Sequence, residues 1–386
     1  MKTEFERELR ENILPFWTDM IREDGSFPGR VDIDGLVDES APIGSVMAFR
    51  ILWMFSAAAR RAGNVQAGVM ADKVYGYVSS TFVDRKNGGV FWSVSPTGEV
   101  LSGKKQSYAI GFAIYALSEY ALLRQSSEAE VLAMMMFRAL EDNAWDDEHK
   151  GYIEALAEDW NGLDDVRLSD KDMNAVFTMN THLHILEPYT NLYVLTSDSD
   201  VREAILRLLD IFRDRIYDSE SSHLGSFFNS SWDRLDKEIS YGHDIEASWL
   251  ICEAADAICC TDVSYRELAD TLVRACGEGF REDGSLIYKY DSGEWDEERH
   301  WWVQAEAVVG LMKMYRRTED EEWLDMCRGT WKYIQDRIVD PRGGDWYWSR
   351  FPDGSVNKKE DKAGFWKCPY HNGRMCIEIM TELADE

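Results

Sequence analysis

The chain has 386 residues and a formal net charge of −29, from 71 Asp and Glu against 42 Lys and Arg. Such acidity argues against nucleic acid and anionic membranes as partners, because both demand basic patches, whereas a neutral ligand meets no electrostatic penalty. Hydrophobic residues at 45%, with 15 Trp, 17 Tyr and 16 Phe, supply enough apolar surface for a large core.

The first residues, MKTEFERELRENILPFW, are charged from the start and lack the apolar stretch of a signal peptide. No apolar run approaches the length of a membrane span. The seven cysteines are odd in number and lie late in the chain, with Cys259 and Cys260 adjacent. That usage reads as reduced thiols in a cytoplasmic protein rather than a disulfide framework. A single domain over 1–386 is expected, because no Pro/Ser-rich linker divides it, and a monomer is expected.

Apolar residues recur at helical spacing over 46–63, 108–123, 204–217, 245–260 and 302–317. Arg50 interrupts the first of these apolar faces and Tyr108 opens the second. Between the helical stretches a glycine followed closely by apolar or aromatic residues returns at Gly25, Gly88, Gly151, Gly225, Gly284 and Gly343. The steps are about 60 residues, long enough for two helices and a loop. Six such hairpins closing on themselves form an all-α (α/α)6 barrel, with short β-hairpin or loop elements at one face. An open solenoid is the alternative, although a closed ring needs no capping repeats.

Four polar interruptions of apolar, aromatic sequence are candidates for chemistry. In TMNTHLHILEPY (178–189), Asn180 and His184 share a helix face, while His182 points to the opposite side. In SYGHDIEASWL (240–250), His243 stands where a helix begins. Glu246 is placed to hold its tautomer, and Trp249 to pack beside that carboxylate. Simple capping by Asp244 and Glu246 is the plainer reading. In RHWWVQAEAVVG (299–310), Trp302 and Glu306 are one turn apart, an arrangement suited to stacking a sugar ring and accepting from its hydroxyls. A structural Trp and an ion-paired Glu remain the alternative there.

The fourth interruption is KCPYHNGRMC (367–376), preceded by Trp366. Cys368 and His371 have metal-ligand spacing, but Cys376 is the only further local ligand and no second pair completes a zinc set. The cysteines therefore read as packing residues and no metal or other cofactor is expected. The chain carries no phosphate loop, nucleophile elbow or dinucleotide fingerprint. Several histidines without a cofactor point to proton transfer near neutral pH.

SYGHDIEASWL, WWVQAEAVVG and WKCPYHNGRMC resemble signature segments of the N-acylglucosamine 2-epimerase superfamily, and more closely its cellobiose 2-epimerase branch. ILPFW, FRILWMFS and TMNTHLHILEPYTNLY fit the same branch, so the resemblance spans nearly the whole chain. It implies an (α/α)6-barrel enzyme, free of metal and nucleotide, that inverts C2 of the reducing-end sugar of β-1,4-linked disaccharides. His371 and His243 would exchange the C2 proton, the latter supported by Glu246, and His184 would assist ring opening. Arg50 would hold the O1/O2 region, while Tyr108, Asn180, Glu246, Trp249, Trp302, Glu306 and Trp366 would line the sugar subsites. A mannose 2-epimerase or mannose isomerase acting on monosaccharides is the nearest rival. An inverting glycosidase using Glu246 and Glu306, and a non-catalytic sugar-binding protein, stand further off.

Overall fold

The computed structural model describes residues 1–384. Helix α1 (Lys2–Arg7) runs through a π-helical stretch into α2 (Leu14–Met20). It is followed by α3 (Ser45–Arg61), α4 (Val65–Thr81), α5 (Ser107–Arg124), α6 (Ser127–Asn143) and α7 (Met179–Thr196). The chain continues with α8 (Ser199–Ile211), α9 (Tyr241–Ala257), α10 (Ser264–Ala275), α11 (Trp301–Thr318), α12 (Glu321–Tyr333) and α13 (Tyr370–Glu382).

The odd-numbered helices from α3 to α13 pack each on the next, and α13 packs on α3, which closes an inner ring of six. The even-numbered helices from α4 to α12 lie outside them, and the α1–α2 segment covers α13 as the sixth outer element. The two rings differ in sequence as their surroundings demand. Every residue of α5 from Ser107 to Ala121 is buried, because an inner helix meets two neighbours, the outer ring and the barrel axis. The outer α8 buries Val201, Ala204, Ile205, Leu208 and Leu209 on one stripe and turns its charges to water. The fold is thus the closed (α/α)6 barrel expected from the six spaced glycines.

Each of those glycines lies between an outer helix and the next inner one. Gly25, Gly88, Gly284 and Gly343 have φ between 82° and 87°, the left-handed region that glycine tolerates. In the other two turns Lys150 and Ser222 take positive φ, which explains the degenerate motif. A signal missed in the sequence accompanies them: Asp24, Asp84, Asp146, Asp218, Asp283 and Asp340 each accept a backbone N–H two residues on, capping the turn.

The short strands sit where expected, at one mouth. The two residues before each of the first five inner helices pair antiparallel with the glycine-aromatic segment of the following unit. Ile43–Gly44 joins Ser93–Val94, Lys105–Gln106 joins Ala155–Leu156, and Phe177–Thr178 joins Phe227–Phe228. Ile239–Ser240 pairs with 289–290 and Arg299–His300 with Ser349–Arg350, and a bridge from Val31 to Ala363 completes the circuit. These ladders tie successive units together and fix the N-termini of the inner helices around one opening.

Candidate active site

A cavity of about 440 Å³ opens at that mouth, within the range of small-molecule sites. All six inner helices contribute from their first two turns: Arg50 from α3, Tyr108 from α5, Asn180 and His184 from α7, His243 and Glu246 from α9, Trp302 from α11 and His371 from α13. Six helix N-termini therefore converge on one space, and their dipoles favour negative charge there. Trp366 forms part of the wall.

Local sequence explains how two of these side chains are placed. Pro188 has no N–H to return to the carbonyl of His184, and α7 leaves helical geometry at His184 (φ −88°, ψ 15°). Gly111 of α5 lies against that freed carbonyl, and a Cβ there would stand 2.3 Å from the oxygen. In α9, Gly242 leaves room for the Trp302 ring, 2.5 Å from where its Cβ would be. Trp302 then lies beside both His243 and His371, with ring centroids 4.8 and 5.7 Å away.

The three histidines are held differently. His371 Nδ1 is 2.7 Å from Glu306 Oε1, and His184 Nδ1 is 3.1 Å from Glu187 Oε2. Glu306 also accepts from Arg374 Nη2 at 2.7 Å and from Trp249 Nε1 at 3.2 Å. Glu187 also accepts from the Tyr370 hydroxyl, at 2.5 and 2.6 Å, and from Arg374. Burial draws Glu306 upward, but Arg374 and Trp249 pull against it, and carboxylates that accept on every side have no proton to donate. Both imidazoles therefore carry hydrogen on Nδ1, and in the neutral ring Nε2 is the lone pair. His243 Nδ1 instead meets the Ser240 hydroxyl at 2.8 Å.

Burial pushes His243 down to about 3, with the neighbouring His184 adding to the effect. Burial likewise holds His371 well below the usual histidine range, reinforced by Arg50 and Arg374. Both are neutral bases at pH 7. Burial tends to raise Glu187, but Arg374 and the His184 pair overcome it and hold the carboxylate down at about 2. Burial and the adjacent Glu306 push Glu246 up to about 7. Arg50, 3% exposed, donates to the Tyr108 hydroxyl at 2.7 Å and lies over Phe112 and Tyr370. Among the described residues it makes no ion pair, and its Nε has no partner. A buried cation without a counter-ion is a fixed positive charge awaiting an anion.

Several sequence expectations change at this point. Trp249 and Glu306 do not line the cavity; both lie behind His371, with Trp249 bonded to Glu306 rather than packed against a sugar. Glu246 does not support His243. It bonds Arg374, and its Oε2 has no partner and is 3.9 Å from His184 Nε2. Asp244, not Glu246, plays the structural part at the start of α9, accepting from Leu224 N at 3.0 Å and pairing with His223 at 2.7 Å. His182 is a satisfied core histidine between Thr178 O and Tyr152 N. Glu187, Arg374 and Tyr370 escaped the sequence reading, although Glu187 follows His184 and Arg374 follows His371 by three residues, a spacing that places each pair on one face.

The ligand atoms of Glu246, Glu306 and His371 lie within 4.8 Å of one another, as in a metal site. Arg374 Nη2 bonds both carboxylates and holds the position a cation would take. The zinc spacing of Cys368 and His371 has no local counterpart: His371 is committed to Glu306, and Cys368 and Cys376 are free and buried.

The architecture is that of an (α/α)6 barrel whose mouth is furnished for acid–base chemistry. A model of the family described as N-acylglucosamine 2-epimerase matches residues 25–373. The chain belongs to that family. It is 43% identical to a cellobiose 2-epimerase of Bacteroides fragilis, over 99% of each chain. It superimposes on the structure of a cellobiose 2-epimerase from Bacillus thermoamylovorans with a TM-score of 0.96 and 37% identity, over 99% of both. Likeness to a D-mannose isomerase of Marinomonas mediterranea is more distant, at 21% identity over 78% of this chain.

Proposed function

We propose that this protein inverts C2 of the reducing-end sugar of β-1,4-linked disaccharides, converting cellobiose to glucosyl-mannose and treating lactose and mannobiose alike. The observation that carries the reading is the set of three histidines facing one cavity beside a buried Arg50 that makes no ion pair among the described residues. A C2 proton becomes acidic only once the ring opens to the aldehyde. Opening moves a proton from O1 to O5, a task for His184, whose Nε2 is free. A neutral histidine then takes the C2 proton, becoming imidazolium and leaving an enediolate. The other histidine, once it has gained a proton from the first or from solvent, donates it to the opposite face of C2 and is neutral again. His371 and His243, on either side of Trp302, suit these two steps. Arg50 and the converging helix N-termini favour the enediolate oxygens. Tyr108, Asn180, with its buried Oδ1 unpartnered, and Glu246 Oε2 offer hydrogen bonds to hydroxyls.

A disaccharide needs a second subsite. Beside the cavity lies a further space of about 330 Å³, walled by Trp92, Phe365 and Trp366 and sharing the 167–170 segment with it. This favours a disaccharide over a monosaccharide such as mannose. A glycosidase reading is weakened because Glu306 has its acceptor positions filled by His371, Arg374 and Trp249. We further read the protein as a cytoplasmic, metal-independent enzyme working as one domain; its free cysteines, the closed helix ring and Arg374 between the carboxylates support this. The test is NMR of cellobiose with the protein in D₂O. Deuterium at C2 with a mannose-type end group is expected; cellobiose left unlabelled overturns the reading, and faster turnover of free mannose favours the monosaccharide alternative.

A further inference from the structure

Arg374 lies one turn beyond His371 on α13 and is fully buried. Its Nη1 donates to Glu187 and Tyr370, and its Nη2 to Glu246 and Glu306. One guanidinium thus joins three carboxylates from three different helices, α7, α9 and α11. Two of those carboxylates hold the Nδ1 of His184 and of His371. Arg374 faces the axis from behind these groups and is absent from the cavity wall.

We propose that Arg374 is a positioning residue that fixes both imidazoles in the same tautomer, hydrogen on Nδ1 and lone pair on Nε2, by keeping Glu187 and Glu306 ionised. The proposal rests on the histidines being the proton carriers of the reaction named above. The physical reason is charge. Without the guanidinium, three carboxylates face one another where water does not reach, and such a cluster relieves itself by taking up protons. A protonated carboxyl group is a donor and needs an acceptor. Glu306 then has only the donor-only indole of Trp249 and His371 Nδ1, 2.7 Å away, which can accept only by moving its own hydrogen to Nε2. Glu187 can turn either to the Tyr370 hydroxyl or, by the same shift of hydrogen, to His184 Nδ1. Nε2 then presents N–H to the sugar where a base is required. The forked geometry of arginine also matters, because a lysine ammonium is a point charge without the paired, planar donors that reach Glu187 on one side and Glu246 and Glu306 on the other.

The test is ¹⁵N-histidine NMR of the full-length protein, with His184 and His371 assigned from single His→Gln variants. In the wild type both residues carry hydrogen on Nδ1. In Arg374→Met at least one moves to the Nε2–H tautomer, and kcat for cellobiose falls by roughly 10²-fold or more with KM nearly constant. Arg374→Lys, which keeps the charge, gives a smaller loss and carries the test if the Met variant fails to fold. A folded variant with both Nδ1–H tautomers intact overturns the proposal, as does Arg374→Lys with wild-type kcat. The tautomer readout requires no turnover. Failure of the wild type to exchange the C2 proton therefore refutes the epimerase reading and leaves the role of Arg374 to be decided by NMR.

Discussion

Glu306→Gln isolates the charge behind His371. The amide keeps the shape of the side chain, and its best orientation places the carbonyl at the Oε1 position, where it still accepts from His371 Nδ1 and Arg374 Nη2, each now at 2.7 Å. The NH₂ then faces Trp249 Nε1, at present 3.2 Å from Oε2, so two donors meet. The opposite orientation sets NH₂ against the guanidinium and the imidazole, which is worse. What the substitution removes is the negative charge beside the imidazolium that forms as His371 takes a proton. Charges about 4 Å apart at an effective dielectric of about 20 interact by about 4 kcal/mol. Arg374 shares that carboxylate, so the value of a charge-assisted hydrogen bond, about 1.5–3 kcal/mol, is the better guide. The expected loss in kcat is roughly 10- to 150-fold. KM should change by less than about threefold, because an interaction made behind the cavity and strengthened in the transition state appears in kcat. Steady-state rates on cellobiose, with thermal melting to confirm a folded protein, measure this. A folded variant with kcat within threefold of wild type would refute the idea that Glu306 stabilises a charged His371.

Further predictions concern the histidines and their carboxylates. His243→Ala and His371→Ala should each lose at least about 10²-fold in activity, the effect of a positioned acid or base; near-full turnover in either removes that residue from the mechanism. His182→Ala leaves the buried Tyr152 N–H unpaired and opens a cavity in the core, and should cost about 2–5 kcal/mol of stability while kcat of the folded protein stays within about twofold, so a selective loss of rate would make His182 functional. The folded Glu187 carboxyl is held at about 2, below its ordinary 4.5. It therefore contributes stability that is complete above pH 4.5 and is lost as pH falls towards 2. Urea midpoints of wild type and Glu187→Gln, well separated at pH 6.5, should converge below pH 4.5; a constant gap contradicts the assignment.

The mixture of what could and could not be read from sequence has a physical pattern. Local rules reported reliably on local facts. Four of the six spaced glycines marked turns because positive φ is costly for other residues, and the apolar faces marked the helices they were assigned to. His184, His243 and His371 drew attention because polar groups in apolar surroundings need a reason. Apart from Glu187 beside His184 and the turn aspartates, local signals that went unread, the errors concern which side chain meets which across helices. His243 and Glu246 are three residues apart and were paired by that spacing, yet Glu246 is drawn to Arg374, 128 residues away. Trp302 and Glu306 sit one turn apart, yet one faces the cavity and the other faces His371, 65 residues on.

The sequence by itself determined a six-fold helical repeat and a set of neutral-range acid/bases, since periodicity and composition are properties of short stretches. Only the tertiary structure decided that Glu306 and Glu187 hold His371 and His184, that Arg50 has no counter-ion among the described residues, and that Arg374 joins the buried carboxylates. Those outcomes depend on ring closure, which brings the first turns of all six inner helices to one axis. There electrostatics in a water-poor space, and not distance along the chain, chooses the partners.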